Sequence, residues 1–121
     1  MKTREQLRAE RANTLVSAVK SDLVADYTTQ VRSFPALLHE NGLGPALAYL
    51  KAEGGPARTA LYNHLSSWVG DAIYADPKGD LLTLVVENSA EQMMRAQDEA
   101  MAMIHWLLRF AQAREPKARK A

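Results

Sequence analysis

Glycine and proline cut this chain into short lengths, and between the cuts nearly every stretch carries a helical repeat. Asn41-Gly42, Gly54-Gly55-Pro56 and Asp76-Pro77-Lys78-Gly79 are stop or turn signals. Gly and Asn tolerate the left-handed conformation that ends a helix, and Pro suits the first turn of the next. Ahead of the first cut, Ala12, Val16, Val19 and Leu23 recur three or four residues apart, and Tyr27, Val31, Phe34 and Leu38 continue that period. This is the spacing of helices that each bury one face. Thr3 and Gln6 have capping-box spacing and predict the start of a first helix that reaches about Ser21. A second helix should run to His39 or Glu40. Pro35 lies inside it, and since proline removes a backbone donor and disfavours helical geometry at Phe34, a kink or short break is expected there.

Pro45 opens a third helix, from Ala46 to about Ala52, and Pro56 a fourth, whose buried stripe is Leu61, Leu65, Trp68, Val69, Ala72 and Ile73, up to Tyr74. Leu82, Leu84 and Val86 alternate like a strand, but a lone strand leaves its backbone unpaired, so a short helix capped by Asp80 is the better reading. Ser89 and Gln92 repeat the capping-box spacing and open a last helix with Met93, Ala96, Ala100, Ile104, Leu107 and Ala111 on one face. Met103, Leu108 and Phe110 widen that stripe to the breadth of a helix with several neighbours. The expected fold class is all-α: a compact bundle of about five or six helices over residues 1–114, with 115–121 a basic flexible tail.

A chain of 121 residues holds one modest core. It contains no cysteine, which excludes disulfides, thiolate metal sites and thiol nucleophiles. No apolar run reaches the roughly 18 residues of a membrane span, and the start of the chain is charged where a secretory signal would be apolar. A cytoplasmic protein is the expectation. The net charge of +1 hides an uneven distribution: residues 1–11 sum to +2, residues 109–121 to +4 and the middle to −5. Clustered Lys and Arg attract phosphates, though basic termini also serve solubility.

Catalytic chemistry finds little support. His39, His64 and His105 form no metal-ligand pair, and His105, between Ile104 and Trp106, reads as a structural imidazole. The nearest carboxylate pair, Asp98-Glu99, is expected to face solvent, away from the apolar stripe. There is no phosphate-cradling glycine loop and no nucleophile with a base at motif spacing. Phe34, Tyr49, Trp68, Trp106 and Phe110 lie in apolar stripes and read as core. Four of the five methionines fall in the last helix, mostly as core filler, with an adaptable binding surface as their other use.

Arg4, Arg8 and Arg11 are the sharpest local feature. Spaced four and three residues apart, they line one helix face and can track a phosphate backbone. Leu15 continues the row, which puts the arginines at the margin of the packed surface. Snorkelling over the core rim, paired with Glu5, Glu10 or other acids, is the other reading.

The stretch Tyr27 to Ala52, YTTQVRSFPALLHENGLGPALAYLKA, resembles the signature region of the CRISPR Cmr complex small-subunit family. Its parts are Phe34-Pro35-Ala36-Leu37-Leu38, Asn41-Gly42-Leu43 and Ala46-Leu47-Ala48-Tyr49-Leu50. The basic first helix, the Trp68 region and the closing run from Glu99-Ala100-Met101 through Trp106-Leu107-Leu108 to Phe110-Ala111 agree in order and length. Each piece is a packing motif; their order and spacing carry the resemblance, which spans nearly all of the chain except the tail.

The resemblance implies a non-catalytic subunit of a type III-B RNA-guided, RNA-targeting complex in antiviral defence. Its partners would be the backbone subunits, the large subunit, further copies of itself in a short filament, and guide and target RNA. Target cleavage would belong to the backbone subunits. No cofactor, metal, membrane or small-molecule substrate is expected. The family brings no fixed RNA-binding signature, so the expected contacts are the basic side chains themselves: Arg4, Arg8, Arg11, Lys117, Arg119 and Lys120, holding phosphates without reading bases. The main alternative is a helical protein–protein adaptor that never touches nucleic acid. A helix-turn-helix repressor is a third, weakened by the lack of a compact recognition helix with polar base-reading residues.

Overall fold

A computed structural model describes residues 1–115, and within them the chain is six α-helices and one 3-10 turn, with no strand. The helices are α1 (Arg4–Ser17), α2 (Val24–Asn41), α3 (Leu43–Glu53), α4 (Pro56–Tyr74), α5 (Leu81–Glu87) and α6 (Ala90–Arg114), with the 3-10 turn at Ser21–Leu23. No helix among the described residues is long and apolar enough to cross a membrane.

The polar caps expected from the sequence are present. Thr3 with Gln6, and Ser89 with Gln92, close reciprocal capping boxes at the starts of α1 and α6. The Asp80 carboxylate accepts from the Thr83 amide and starts α5 as a helix, so the alternation of Leu82, Leu84 and Val86 does not make a strand. Asp80 also accepts from the Tyr62 hydroxyl at 2.6 Å and from Lys51 at 3.1 Å. Partial burial alone would raise its pKa, but the hydrogen bonds from Tyr62, Thr83 and Lys51 win and bring it down to about 2. A helix of seven residues is too short to stand alone, and this carboxylate ties it to α3 and α4.

Gly42 and Gly70 are two of the points where the backbone needs glycine. Gly42, at φ 81°, is the single residue between α2 and α3. Gly70 lies where the turn after α4 folds back: a Cβ there would stand 2.6 Å from the Asp76 carbonyl oxygen. That turn is closed by Ala75, left-handed at φ 53°, with the Asp76 amide bonded to the Gly70 carbonyl.

Pro35 does not break α2, which runs through it. Phe34 and Leu38 on either side are fully buried, and anchoring two large side chains in the core outweighs the roughly 3 kcal/mol cost of an interior proline. The core is centred on α6, which packs against all five other helices. Along it Ala96, Ala100, Met103, Ile104, Leu107 and Ala111 are buried, and α2, one of the helices packed on it, buries Tyr27, Val31, Phe34 and Leu38. Two expected core residues lie outside it. Met93 is exposed, because α6 at its start has only short α5 and the beginning of α3 beside it, and Tyr49 stands at the surface of α3.

Inside the bundle the Tyr27 hydroxyl meets His64 Nδ1 at 2.6 Å, the two rings edge to face. Burial lowers the His64 pKa from 6.5 to about 4. The neutral ring is therefore the folded form, while the unfolded chain takes up a proton at higher pH. Stability from this site is complete above pH 6.5 and is lost as the pH falls, by roughly 3 kcal/mol at pH 4. Glu99 and Asp80, both held low, add their own loss mostly below pH 4.5. Urea unfolding at pH 7 and pH 4.5 should show this loss in the wild type, and a His64→Gln variant should show far less of it.

Candidate nucleic-acid interface

Residues at positions 4, 8 and 11 of one helix share a face, so Arg4, Arg8 and Arg11 do come together on α1. That face is turned onto α6 and α4. At its centre is Glu99, only 4% exposed. Its carboxylate accepts from Arg8 through both Nε and Nη2, from Arg4 Nη1 at 3.3 Å and from the Trp68 indole at 2.8 Å. Burial would push the Glu99 pKa up; the hydrogen bonds from Arg8, Trp68 and Arg4 outweigh that and hold it below the usual carboxylate range.

Arg8 is the most committed of the three, since its remaining Nη1 bonds Glu5 at 2.6 Å. Arg11 donates to the Ser67 carbonyl and hydroxyl at 3.1 and 3.0 Å and to Asp71 at 3.0 Å, with its guanidinium 5.4 Å from the Trp68 ring centroid. Arg4 makes one hydrogen bond and is half exposed, at 51% of its side chain. Lys2 pairs with Glu10 outside this cluster. Four cations, Lys2, Arg4, Arg8 and Arg11, thus meet four carboxylates, Glu5, Glu10, Asp71 and Glu99, and the site is close to neutral.

The Asp98-Glu99 reading therefore needs correction: Asp98 is exposed but Glu99 is buried. Neighbours on a helix point about 100° apart, so the two carboxylates never share one environment. The signal is present in the spacing, as Glu99 lies three residues after Ala96 and four before Met103, within the buried stripe.

The other basic end is placed elsewhere. Arg114 Nη1 donates to the Val16 and Val19 carbonyls, both at 2.6 Å, and so caps the end of α1. With Arg8 on Glu99 and Arg114 at Val16, α1 lies parallel to the second half of α6. The 15 residues from Glu99 to Arg114 span roughly 22 Å, so Arg114 sits at the end of α1 away from Arg4 and Arg8. Lys117, Arg119 and Lys120 lie outside the described residues. Among the described residues no group of three or more His, Asp or Glu side chains is placed to hold a metal ion.

Comparison with known proteins agrees with this architecture. The sequence profile of the family described as CRISPR-associated protein (Cas_Cmr5) matches residues 4–114. The CRISPR system Cmr subunit Cmr5 of Thermus thermophilus is 33% identical over 114 residues, covering 93% of this chain and 96% of that protein. The X-ray structure of a CRISPR-associated Cmr5 family protein from the same organism is similar with a TM-score of 0.75 at 30% identity, over 93% of this chain and 97% of the other.

A buried carboxylate stripped of its main partner is left uncompensated, at a cost of about 3–5 kcal/mol. Arg8→Met should lose stability of that order in urea unfolding. Arg8→Met combined with Glu99→Leu should recover most of it, because the double variant leaves no buried charge. A loss below about 1 kcal/mol for the single variant would show that the Arg8–Glu99 pair does not secure α1.

Proposed function

The chain belongs to the CRISPR-associated Cas_Cmr5 family, and from that premise we propose that it is a non-catalytic small subunit of a type III-B CRISPR (Cmr) RNA-guided complex. In this reading it works in the cytoplasm in antiviral defence, stacks with further copies of itself along the backbone subunits, and lines the guide–target RNA channel as a helical scaffold. Profile coverage of residues 4–114 is the observation that carries the reading.

RNA contact is through phosphates, by Arg4, Arg8 and Arg11 with Lys117, Arg119 and Lys120. The arrangement of the α1 row ranks the three arginines. Arg4 has the most donors to spare, Arg11 fewer, and Arg8 acts chiefly by keeping α1 in place. Because carboxylates neutralise the row, the larger positive excess lies in residues 109–121, where Arg109, Arg114, Lys117, Arg119 and Lys120 stand against Glu115 alone in sequence. The same neutralisation favours the adaptor as a second reading, in which the arginines serve the fold and partner proteins alone.

RNA binding by the reconstituted complex across a salt series separates the two. Replacing Arg4, Lys117, Arg119 and Lys120 with Gln removes four cations and leaves the Arg8–Glu99 pair intact. The log–log salt slope should flatten by about three units, with no change in sequence preference. Unchanged affinity and slope, with the subunit still incorporated, would establish the adaptor instead.

A further inference from the structure

Six large apolar side chains are exposed among the described residues, and three of them flank one corner. Val86, 71% exposed, stands near the end of α5, and Met93 and Met94, the latter 68% exposed, near the start of α6. Glu87 follows Val86 in the chain, and Glu91 and Asp98 lie three and four residues from Met94 on α6, all exposed, with Arg95 the one cation between Val86 and Asp98 in sequence. Glu91 and Met94 are three residues apart on α6 and so lie side by side. The corner presents an apolar knob beside carboxylates.

A fourth exposed residue, Tyr49, rims a cleft of about 250 Å3 between α2, α3 and the start of α4. Its walls are Phe34, Leu37 and Leu50, and Arg58 is the one charged side chain lining it. Arg58 has donors to spare. Its guanidinium carbon lies 5.9 Å from the Tyr49 ring centroid, and among the described residues its one hydrogen bond runs from Nη1 to the Gly54 carbonyl at 3.4 Å, leaving the Nη2 edge without an acceptor. A guanidinium edge with unused donors is best completed by a carboxylate. The cleft therefore complements an apolar side chain with an acid next to it, which is the chemistry of the corner.

Both features are built on packed helices of one bundle, so a chain cannot place its corner in its own cleft. We infer that the α5–α6 corner of one copy docks into the Tyr49–Arg58 cleft of the next, with Met94 between Phe34, Leu37 and Leu50 and Glu91 on Arg58. This rests on the stacked-copy reading above and names the surfaces that would join the copies. The two surfaces differ, so the contact is heterologous and propagates without closing. One knob in one cleft is a small interface, which makes the isolated chain a monomer or a weak self-associate.

The absence of cysteine makes the test direct. Met94→Cys and Tyr49→Cys variants are mixed in the reconstituted complex and treated with a short bismaleimide crosslinker. The mixture should give a crosslinked pair, and neither variant alone should. Adding Arg58→Glu to the Tyr49→Cys copy should cut the yield about tenfold or more, and Glu91→Arg in the Met94→Cys copy should restore it. Circular dichroism checks that each variant remains helical. Crosslinking of Met94→Cys to itself would mean a symmetric contact and overturn the inference. So would an absent mixed crosslink in complexes that contain two or more copies, which would leave the stacking reading standing. A complex with a single copy would overturn both.

Discussion

A carboxylate taken out of water between three helices must be met by donors from all sides, and Glu99 is. Arg4 and Arg8 reach it from α1, and Trp68 reaches it from α4. An isolated buried charge would cost several kcal/mol, so each donor is held in place by the carboxylate as much as the reverse. Apolar packing alone would let α1 slide or rotate against α6, since its two buried residues, Ala12 and Val16, have little shape. The charged bonds specify where it sits. Arg11 on Ser67 and Asp71 extends the same network, and Arg114 on the last carbonyls of α1 closes its other end.

This changes the meaning of the basic N-terminal helix. By charge alone, the row of arginines looks available to an external anion. Instead its partners are built in, and a phosphate approaching Arg8 would have to compete with a carboxylate that is closer, bidentate and shielded from solvent. Availability rises outward along the row, as Arg4 is half exposed while Arg8 is enclosed. A subunit that both holds its fold and touches a polyanion can divide the work in this way. Inner cations keep the helix in register, and outer ones meet the ligand.

Most of the fold is legible in the sequence because the caps and breakers are local. Thr3, Asp80 and Ser89 act on backbone within three residues, Gly42 and Gly54 end helices and Gly55 starts one, so helix boundaries fall within about four residues of the expected ones, the largest shifts being α1 ending at Ser17 and α3 starting at Leu43. At Pro35 no break forms, because its neighbours' burial, a tertiary quantity, outvotes a local penalty. The candidate site is legible only in part. Spacing puts three arginines on one face, but which way that face turns depends on Glu99, more than 90 residues away in sequence. Tyr49 and Met93 depart for a related reason: periodicity marks a stripe, and only the neighbours decide how far along a helix the stripe is covered.

The parallel pairing of the first and last helices has a consequence for how the protein is made. During synthesis α1 leaves the ribosome first, but Glu99, which holds it, and Arg114, which caps it, are among the last described residues to follow. Contacts of such long sequence separation form late. Through most of its translation the nascent chain carries an amphipathic, arginine-rich helix without its buried acceptor, with only Glu5 and Glu10 on the helix itself to meet its cations. Its exposed apolar edge is a target for chaperones or for premature association, and its guanidinium groups are open to any polyanion nearby. The helix made first is the last to be secured.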